Sequence, residues 1–211
     1  MVPAAYLALG ATAVSGAALL VLHGLSPEFA PSWRMVSEYA NGRFPWLLAV
    51  VFAGWAVSSF ALAAALRPLS TSTLGMIGLL FLLLAGVGQT MGGLFDINHH
   101  LHGPAAMIGI PSLCVAAVLV TIALSRRAGI DAPPTWSAHL PWISFVVMIA
   151  AFALFFSSLK AAGVDMSGQS PLAELPAGVS GYVGWANRLL FATSYLWTVL
   201  ASLSVLKANA G

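Results

Sequence analysis

Six long apolar runs constrain the fold of this chain more than any other feature of the sequence. A helix that crosses the hydrocarbon core of a membrane needs about 20 mostly apolar residues, and each run satisfies that requirement. The runs cover residues 3–22, 45–66, 73–95, 104–125, 140–159 and 182–206. We therefore predict an all-α polytopic membrane protein, built as a bundle of six transmembrane helices.

The composition favours one membrane domain over a soluble fold. Charged residues make up only 7% of the chain and hydrophobic residues 60%, whereas soluble domains carry about 25% charged residues. No stretch is polar enough to fold separately in water, so residues 1–211 are interpreted as a single integral membrane domain. The formal net charge of +2 is small and its basic residues are scattered, which argues against nucleic acid as a partner. The expected partners are membrane lipids, and a partner membrane subunit or a second copy of the chain.

The alternation of six crossings predicts which connections share a side of the membrane. Both termini fall on one side, and residues 23–44, 96–103 and 160–181 fall on the other, which we call the site face. Lys and Arg divide equally between the two sides, so the positive-inside rule alone does not orient the chain. Arg34 and Arg188 on the site face lie among polar residues. With these two set aside, the prediction is a multi-pass protein of the cell membrane with both termini in the cytoplasm.

The first connection carries the signals of a short helix. Pro31 suits the first turn of a helix, and Asn41–Gly42 suits its end. Between them, Trp33 and Val36 fall on one side, while polar residues point elsewhere. This pattern predicts a short interfacial helix between the first and second transmembrane helices.

Polar groups concentrate on the site face, and residues 89–103, with the sequence QTMGGLFDINHHLHG, form their densest cluster. In a chain this apolar, clustered polar side chains are tolerated at a membrane edge or around something that they bind. Four separate segments contribute to the same face, which is the strongest functional indication in the sequence. The polar residues that we expect there are His23, Arg34, Ser37, Glu38, Tyr39, Gln89, Asp96, His99, His100, His102, Asn187 and Arg188.

A metal site is one hypothesis for this cluster. If helical geometry continues past the third run, Asp96 lies one turn from His99 and His100 on the same face. A carboxylate so placed can ligate a metal beside an imidazole or orient that imidazole. His102 and His23 would complete the ligand set for zinc or another divalent metal, which would activate a bound water. The sequence leaves open whether a metal is bound.

The candidate catalytic residues are Ser37, Asp96, His102 and Arg188. The planar guanidinium of Arg188 suits an anionic head group, and Ser37 or Tyr39 can hold or protonate a substrate. Together with the apolar surroundings, these residues predict a hydrolase or transferase that acts on a lipid, with or without a metal.

A non-catalytic interpretation of the same residues stays open. The string HHLH lacks the spacing of a zinc motif such as HExxH, and Asp96 can serve as a turn or cap residue. Arg188 can pair with Glu38 or Asp96, or bind a lipid phosphate. The alternative is therefore a lipid-binding protein or an accessory subunit of a membrane complex.

Several short motifs resemble one known family. They are His23–Gly24, Ser37–Tyr39, Gly93–Asp96, His102–Gly103, and Gly184–Leu189 followed by Trp197. This pattern resembles the bacterial and archaeal membrane family named domain of unknown function 998. The resemblance covers nearly the whole chain, implies six helices and highlights Ser37, Asp96, His102 and Arg188. Family members often carry a second histidine where this chain has Ala106, and no activity is established for the family.

A fainter similarity links the chain to the seven-helix membrane hydrolases that include the alkaline ceramidases. Those proteins use a serine, an aspartate and three histidines at one membrane face. This chain has the same residue types, but its last apolar run contains no histidine. The similarity is therefore an analogy of residue types rather than of motifs.

Overall fold

The computed structural model describes residues 1–164 and 172–209, and in them the chain is helical with no strand. The helices are α1 (Val2–Leu25), α2 (Pro45–Leu66), α3 (Thr73–Leu94), α4 (His102–Ser125), α5 (Thr135–Ala161) and α6 (Val183–Lys207). Each of these helices is long and apolar enough to cross a membrane. The predicted all-α, six-helix fold is confirmed, and the chain is a multi-pass membrane protein.

The helices form a closed ring in chain order. Each helix contacts its neighbours in the sequence, and α1 also contacts α6, which closes the ring. Additional contacts join α6 to α2 and α4 across the ring. Such packing of sequential helices is the usual consequence of short connections. Because α6 contacts four other helices, side chains near its beginning can reach several elements at once.

Two glycines set the closest approach between α3 and α4. A Cβ atom added at Gly88 would overlap the backbone of Gly109, so the two helices leave no room for a larger residue at position 88. Small residues at such positions allow helices to pack closely in a membrane. The close approach fixes the end of α3 beside the beginning of α4, where the polar cluster lies.

A small apolar cluster holds the first and last connections against the bundle. It contains Trp33 from the first connection, Phe155 and Leu159 from α5, Val179 from the last connection and Val183 from α6. The larger core runs through the bundle between the six helices. The first and last connections are therefore packed structures rather than loose loops in their described parts.

Several helix boundaries differ from the prediction, including the end of α1, which lies at Leu25 rather than at residue 22. α5 begins at Thr135 rather than at residue 140, because its first turn is polar and escaped a count of apolar residues. α4 begins at His102 rather than at residue 104. α3 ends at Leu94, and residues 95–101 form turns. The helical geometry that we expected after the third run is therefore absent, and so is the shared helical face that it would have created.

The first connection contains a 3-10 helix over Val36–Asn41. It ends at the predicted residue, but the chain around Pro31 forms turns rather than the start of a helix. Val36 and Tyr39 are buried, so this short helix packs against the bundle. Its predicted location at the membrane interface stays a prediction.

Candidate functional site

An apolar cavity of about 250 Å³ lies between α2, α3, α4, α5, α6 and the first connection. Aromatic and methionine side chains supply much of its wall, including Phe52, Trp55, Met148, Phe152 and Phe191. Four polar residues also line it, and they are Ser37, Gln89, His102 and Asn187. An apolar pocket with a few polar groups is the common form of a small-molecule site.

A second cavity of about 170 Å³ adjoins the first and is more polar. Ser37 and His102 line both cavities, while Asp96 lines only the second. Three of the four predicted catalytic residues are thus brought to one place, although they come from the first connection, the α3–α4 turn and α4. The two cavities together offer a polar compartment beside an apolar one.

His102 is held by the backbone at the end of α3. Its Nδ1 lies 2.9 Å from the carbonyl oxygen of Phe95. A carbonyl oxygen only accepts hydrogen bonds, so Nδ1 carries the hydrogen and Nε2 is left as an acceptor. An imidazole oriented in this way by one nitrogen can take a proton on the other, as a general base does.

Ser37 is positioned through its two neighbours on the 3-10 helix. The backbone N–H of Val36 donates to Oδ1 of Asn187 on α6 at 2.9 Å. Oε1 of Glu38 accepts from the backbone N–H of Met35 at 2.7 Å. Within the described chain the Ser37 hydroxyl takes part in no hydrogen bond, so it is available to a molecule in the cavities.

Asp96 has a structural contact in the turn between α3 and α4. Its Oδ1 accepts from the backbone N–H of Asn98 at 2.9 Å, which is the local bond of an Asx turn. The side chain of Asn98 in turn donates to Oδ1 of Asn41 at 2.8 Å. These bonds tie the turn to the first connection, and the exposed Asp96 also lines the second cavity.

Arg188 lies in the first turns of α6 and is only 8% exposed. It lines neither cavity, and none of its hydrogen-bond partners is a carboxylate. Its guanidinium group donates, over 2.5–3.2 Å, to Nε2 of His23, to the carbonyl oxygens of Pro31, Arg34 and Gly184, and to the hydroxyl of Tyr39. The arginine therefore ties α6 to α1 and to the first connection, and its donors are not directed at a substrate.

The pairing that we considered for Arg188 is made by another arginine. Glu38 accepts from Arg34 at 2.6 Å. Arg34 also donates to the carbonyl oxygen of Leu172 in the last connection at 2.5 Å, and its guanidinium carbon lies 4.3 Å from the ring centroid of Trp33. These contacts link the first and last connections.

The five predicted metal ligands do not converge. His23 uses both ring nitrogens, because Nδ1 bonds the Leu19 carbonyl at 2.5 Å and Nε2 accepts from Arg188. His99 and His100 are exposed and stack on each other with ring centroids 4.4 Å apart. In residues 1–164 and 172–209, no group of three or more His, Cys, Asp or Glu residues could hold a metal ion. The physical reason is that α3 stops before Asp96, so these side chains never share a helical face.

The prediction from sequence missed the apolar walls of the main cavity. One signal for them was present, since Trp55 lies in the middle of its apolar run instead of at an end, where tryptophans of membrane helices usually lie. The indole of Trp55 and the hydroxyl of Ser59 satisfy the buried amide of Gln89. A polar residue and a tryptophan inside the apolar runs of two consecutive helices indicate such an internal site.

These observations define a class, namely multi-pass helical membrane proteins with a cavity under one end of the bundle. The sequence model of the family described as protein of unknown function (DUF998) matches residues 7–204. The chain belongs to this family, and the resemblance seen in its motifs is confirmed. No curated protein and no solved structure matches the chain.

Proposed function

We propose that this protein binds a membrane lipid in the apolar cavity and hydrolyses it, or transfers a group from it, at Ser37 and His102. One observation carries the proposal, which is that Ser37 and His102 line both the apolar and the polar cavity. A lipid in the apolar compartment would present its polar end to exactly these two side chains. The proposal includes no metal, because the predicted ligands lie apart.

The proposed reaction is acyl transfer through the serine. The Ser37 hydroxyl oxygen attacks the carbonyl carbon of an ester or amide while Nε2 of His102 accepts the hydroxyl proton. The bond to the leaving alcohol or amine then breaks, and His102 returns the proton to that leaving group. Water or an acceptor alcohol next attacks the acyl-serine and releases the acid or the new ester. The bond from Nδ1 of His102 to Phe95 supports this assignment, because it keeps Nε2 free.

The test is turnover of long-chain acyl esters by the purified protein in detergent. Ser37→Ala and His102→Ala should each lower turnover by about 100-fold or more, since a general base contributes about 10²–10⁴-fold. His100→Ala is the matched control, because His100 is exposed and lines neither cavity. It should retain the wild-type rate. Unchanged turnover in a folded His102→Ala protein would contradict the proposed reaction.

A non-catalytic lipid-binding protein or accessory subunit is the second candidate. The contacts of Arg188 and Asp96 favour it, because both residues make structural hydrogen bonds that need no substrate. In that case lipid would remain bound after purification while no acyl ester is turned over. The same purified protein therefore distinguishes the two candidates.

We also propose that both termini face the cytoplasm and that the site face lies on the outer side of the cell membrane. Support comes from the engagement of Arg34 and Arg188 in internal contacts, which removes them from the count of free cations on the site face. Cys114→Ala removes the one cysteine, and Asn98→Cys or Asn209→Cys then adds one at either side. An impermeant thiol reagent applied to whole cells should label Asn98→Cys only. Labelling of Asn209→Cys alone would reverse the orientation.

A further inference from the structure

We infer that the cavity selects an uncharged lipid with a single apolar chain and a head that carries a hydroxyl, ester or amide group. The inference deepens the proposed function and rests on it for the location of the site. The neutral head group inferred here replaces the anionic head group that Arg188 indicated in the sequence. The argument comes from the charges, the free hydrogen-bonding groups and the size of the cavity.

None of the positively charged side chains lines either of the two cavities. The eight Lys and Arg residues belong to the described parts of the chain. Arg34 and Arg188 are the basic residues closest in sequence to residues that line the two cavities. Arg34 donates to Glu38, and Arg188 donates to neutral partners outside both cavities. In the described parts of the chain, no Lys, Arg, Asp or Glu side chain lines the main cavity, and Asp96, which is exposed, lines only the second. A charged head of either sign would therefore lose its hydration on entering the main cavity without gaining a counter-charge there, which is strongly unfavourable.

The free polar groups of the main cavity match a neutral head. Asn187 is 9% exposed, and its Oδ1 is taken by the backbone N–H of Val36. Its Nδ2 donates at 3.5 Å to the thioether of Met148, which is a weak acceptor. Nδ2 of Asn187 can therefore donate to a ligand oxygen, Nε2 of His102 can accept from a ligand hydroxyl, and Ser37 can do either. Asn187 is buried and Ser37 and His102 are half-buried; buried polar groups generally have partners, and a hydroxyl, ester or amide would supply one to Asn187 as well as to the two half-buried groups.

The apolar part of the cavity has no such free groups. Gln89 lies farther from the site face, and its amide is satisfied in the orientation that donates to the Trp55 carbonyl at 3.1 Å and accepts from Trp55 Nε1 at 3.2 Å. The remaining wall is aromatic and aliphatic. This region therefore suits a hydrocarbon chain, whose burial contributes about 0.8 kcal/mol per CH₂ group.

The size of the cavity favours one chain. Its volume of about 250 Å³ lies just below the range for small-molecule sites, which is about 300–1,000 Å³. Two acyl chains with their head group would exceed this space. The ligand class that follows is a monoacylated or monoalkylated compound without charge.

The experiment compares three ether-linked or alkyl probes of the same chain length, none of which an acyl-transfer enzyme can cleave. They are 1-O-alkylglycerol, 1-O-alkylglycerol 3-phosphate and the alkylamine, and binding to the purified protein is measured by native mass spectrometry. We expect the alkylglycerol to bind at least tenfold more tightly than either charged probe. Equal or tighter binding of the phosphate or the amine overturns the inference.

A filled cavity is the second arm of the experiment. Ala106→Phe places a ring in the cavity wall and should lower alkylglycerol binding at least tenfold, and Ala106→Leu serves if the larger residue prevents folding. The matched control is Met107→Phe, at a neighbouring position that is 68% exposed and outside the cavity lining. Wild-type binding by both folded Ala106 variants would contradict the assigned site. Selective alkylglycerol binding without turnover of acyl esters would refute only the proposed catalysis and leave the inference standing.

Discussion

Arg188 carries a positive charge in a site where its hydrogen-bond partners are all neutral groups. The guanidinium bonds an imidazole nitrogen, three backbone carbonyls and a phenol, and its carbon lies 5.8 Å from the centroid of the Tyr39 ring. Backbone carbonyls concentrate negative partial charge around the donors, and the ring face adds a further attraction. The arginine thus replaces a salt bridge by a set of hydrogen bonds that fix the first connection over the beginning of α6.

The role of Arg188 predicts a loss of stability rather than a direct loss of chemistry. Arg188→Met should lower the stability by about 3 kcal/mol or more, because hydrogen bonds to a charged group contribute about 1.5–3 kcal/mol each. The measurement is thermal melting in detergent, with the exposed Arg43→Met as the control. A variant that melts with the wild-type protein would show that these bonds contribute nothing to the fold.

At the scale of the helices, the apolar runs predicted the number of elements and their cores, but not all of their ends. The runs determine where a helix is buried in the membrane, whereas the polar first turn of α5, at Thr135, continues the helix beyond that layer. The end of α3 at Leu94 differs in the opposite direction. The hypothesis of a shared face required the helix to continue through Asp96, which instead forms a local turn. The shared helical face of Asp96, His99 and His100 depended on that extension, and it is absent from the structure.

The same comparison separates the predictable part of the site from the rest. Clustering in the sequence was enough to bring Ser37, Asp96 and His102 to one end of the bundle, because consecutive crossings alternate between two sides. It could not show that Arg188 bonds backbone carbonyls, since those partners depend on how the first connection folds. Nor could it show the cavity, which exists only where five helices and a connection meet.

For the molecule as a whole, the closed ring of helices brings polar residues that are distant in the sequence together at one site. α6 contacts both its neighbours in the ring and two helices across it, and from α6 Asn187 holds the segment that carries Ser37. The close approach of α3 and α4 at Gly88 and Gly109 holds the beginning of α4, which carries His102, beside α3. The central claim of the proposed function, that Ser37 is a nucleophile activated by His102 in a lipid-binding cavity, rests on this arrangement.

The most direct test of that claim is labelling of the purified protein by an uncharged, long-chain fluorophosphonate, read out by peptide mass spectrometry. An activated serine displaces fluoride and forms a stable bond to phosphorus. We expect one modified residue, Ser37, with no labelling in Ser37→Ala and at least tenfold slower labelling in His102→Ala. Labelling that is absent from the folded wild-type protein, or that occurs at another residue and ignores both substitutions, would contradict the catalytic account.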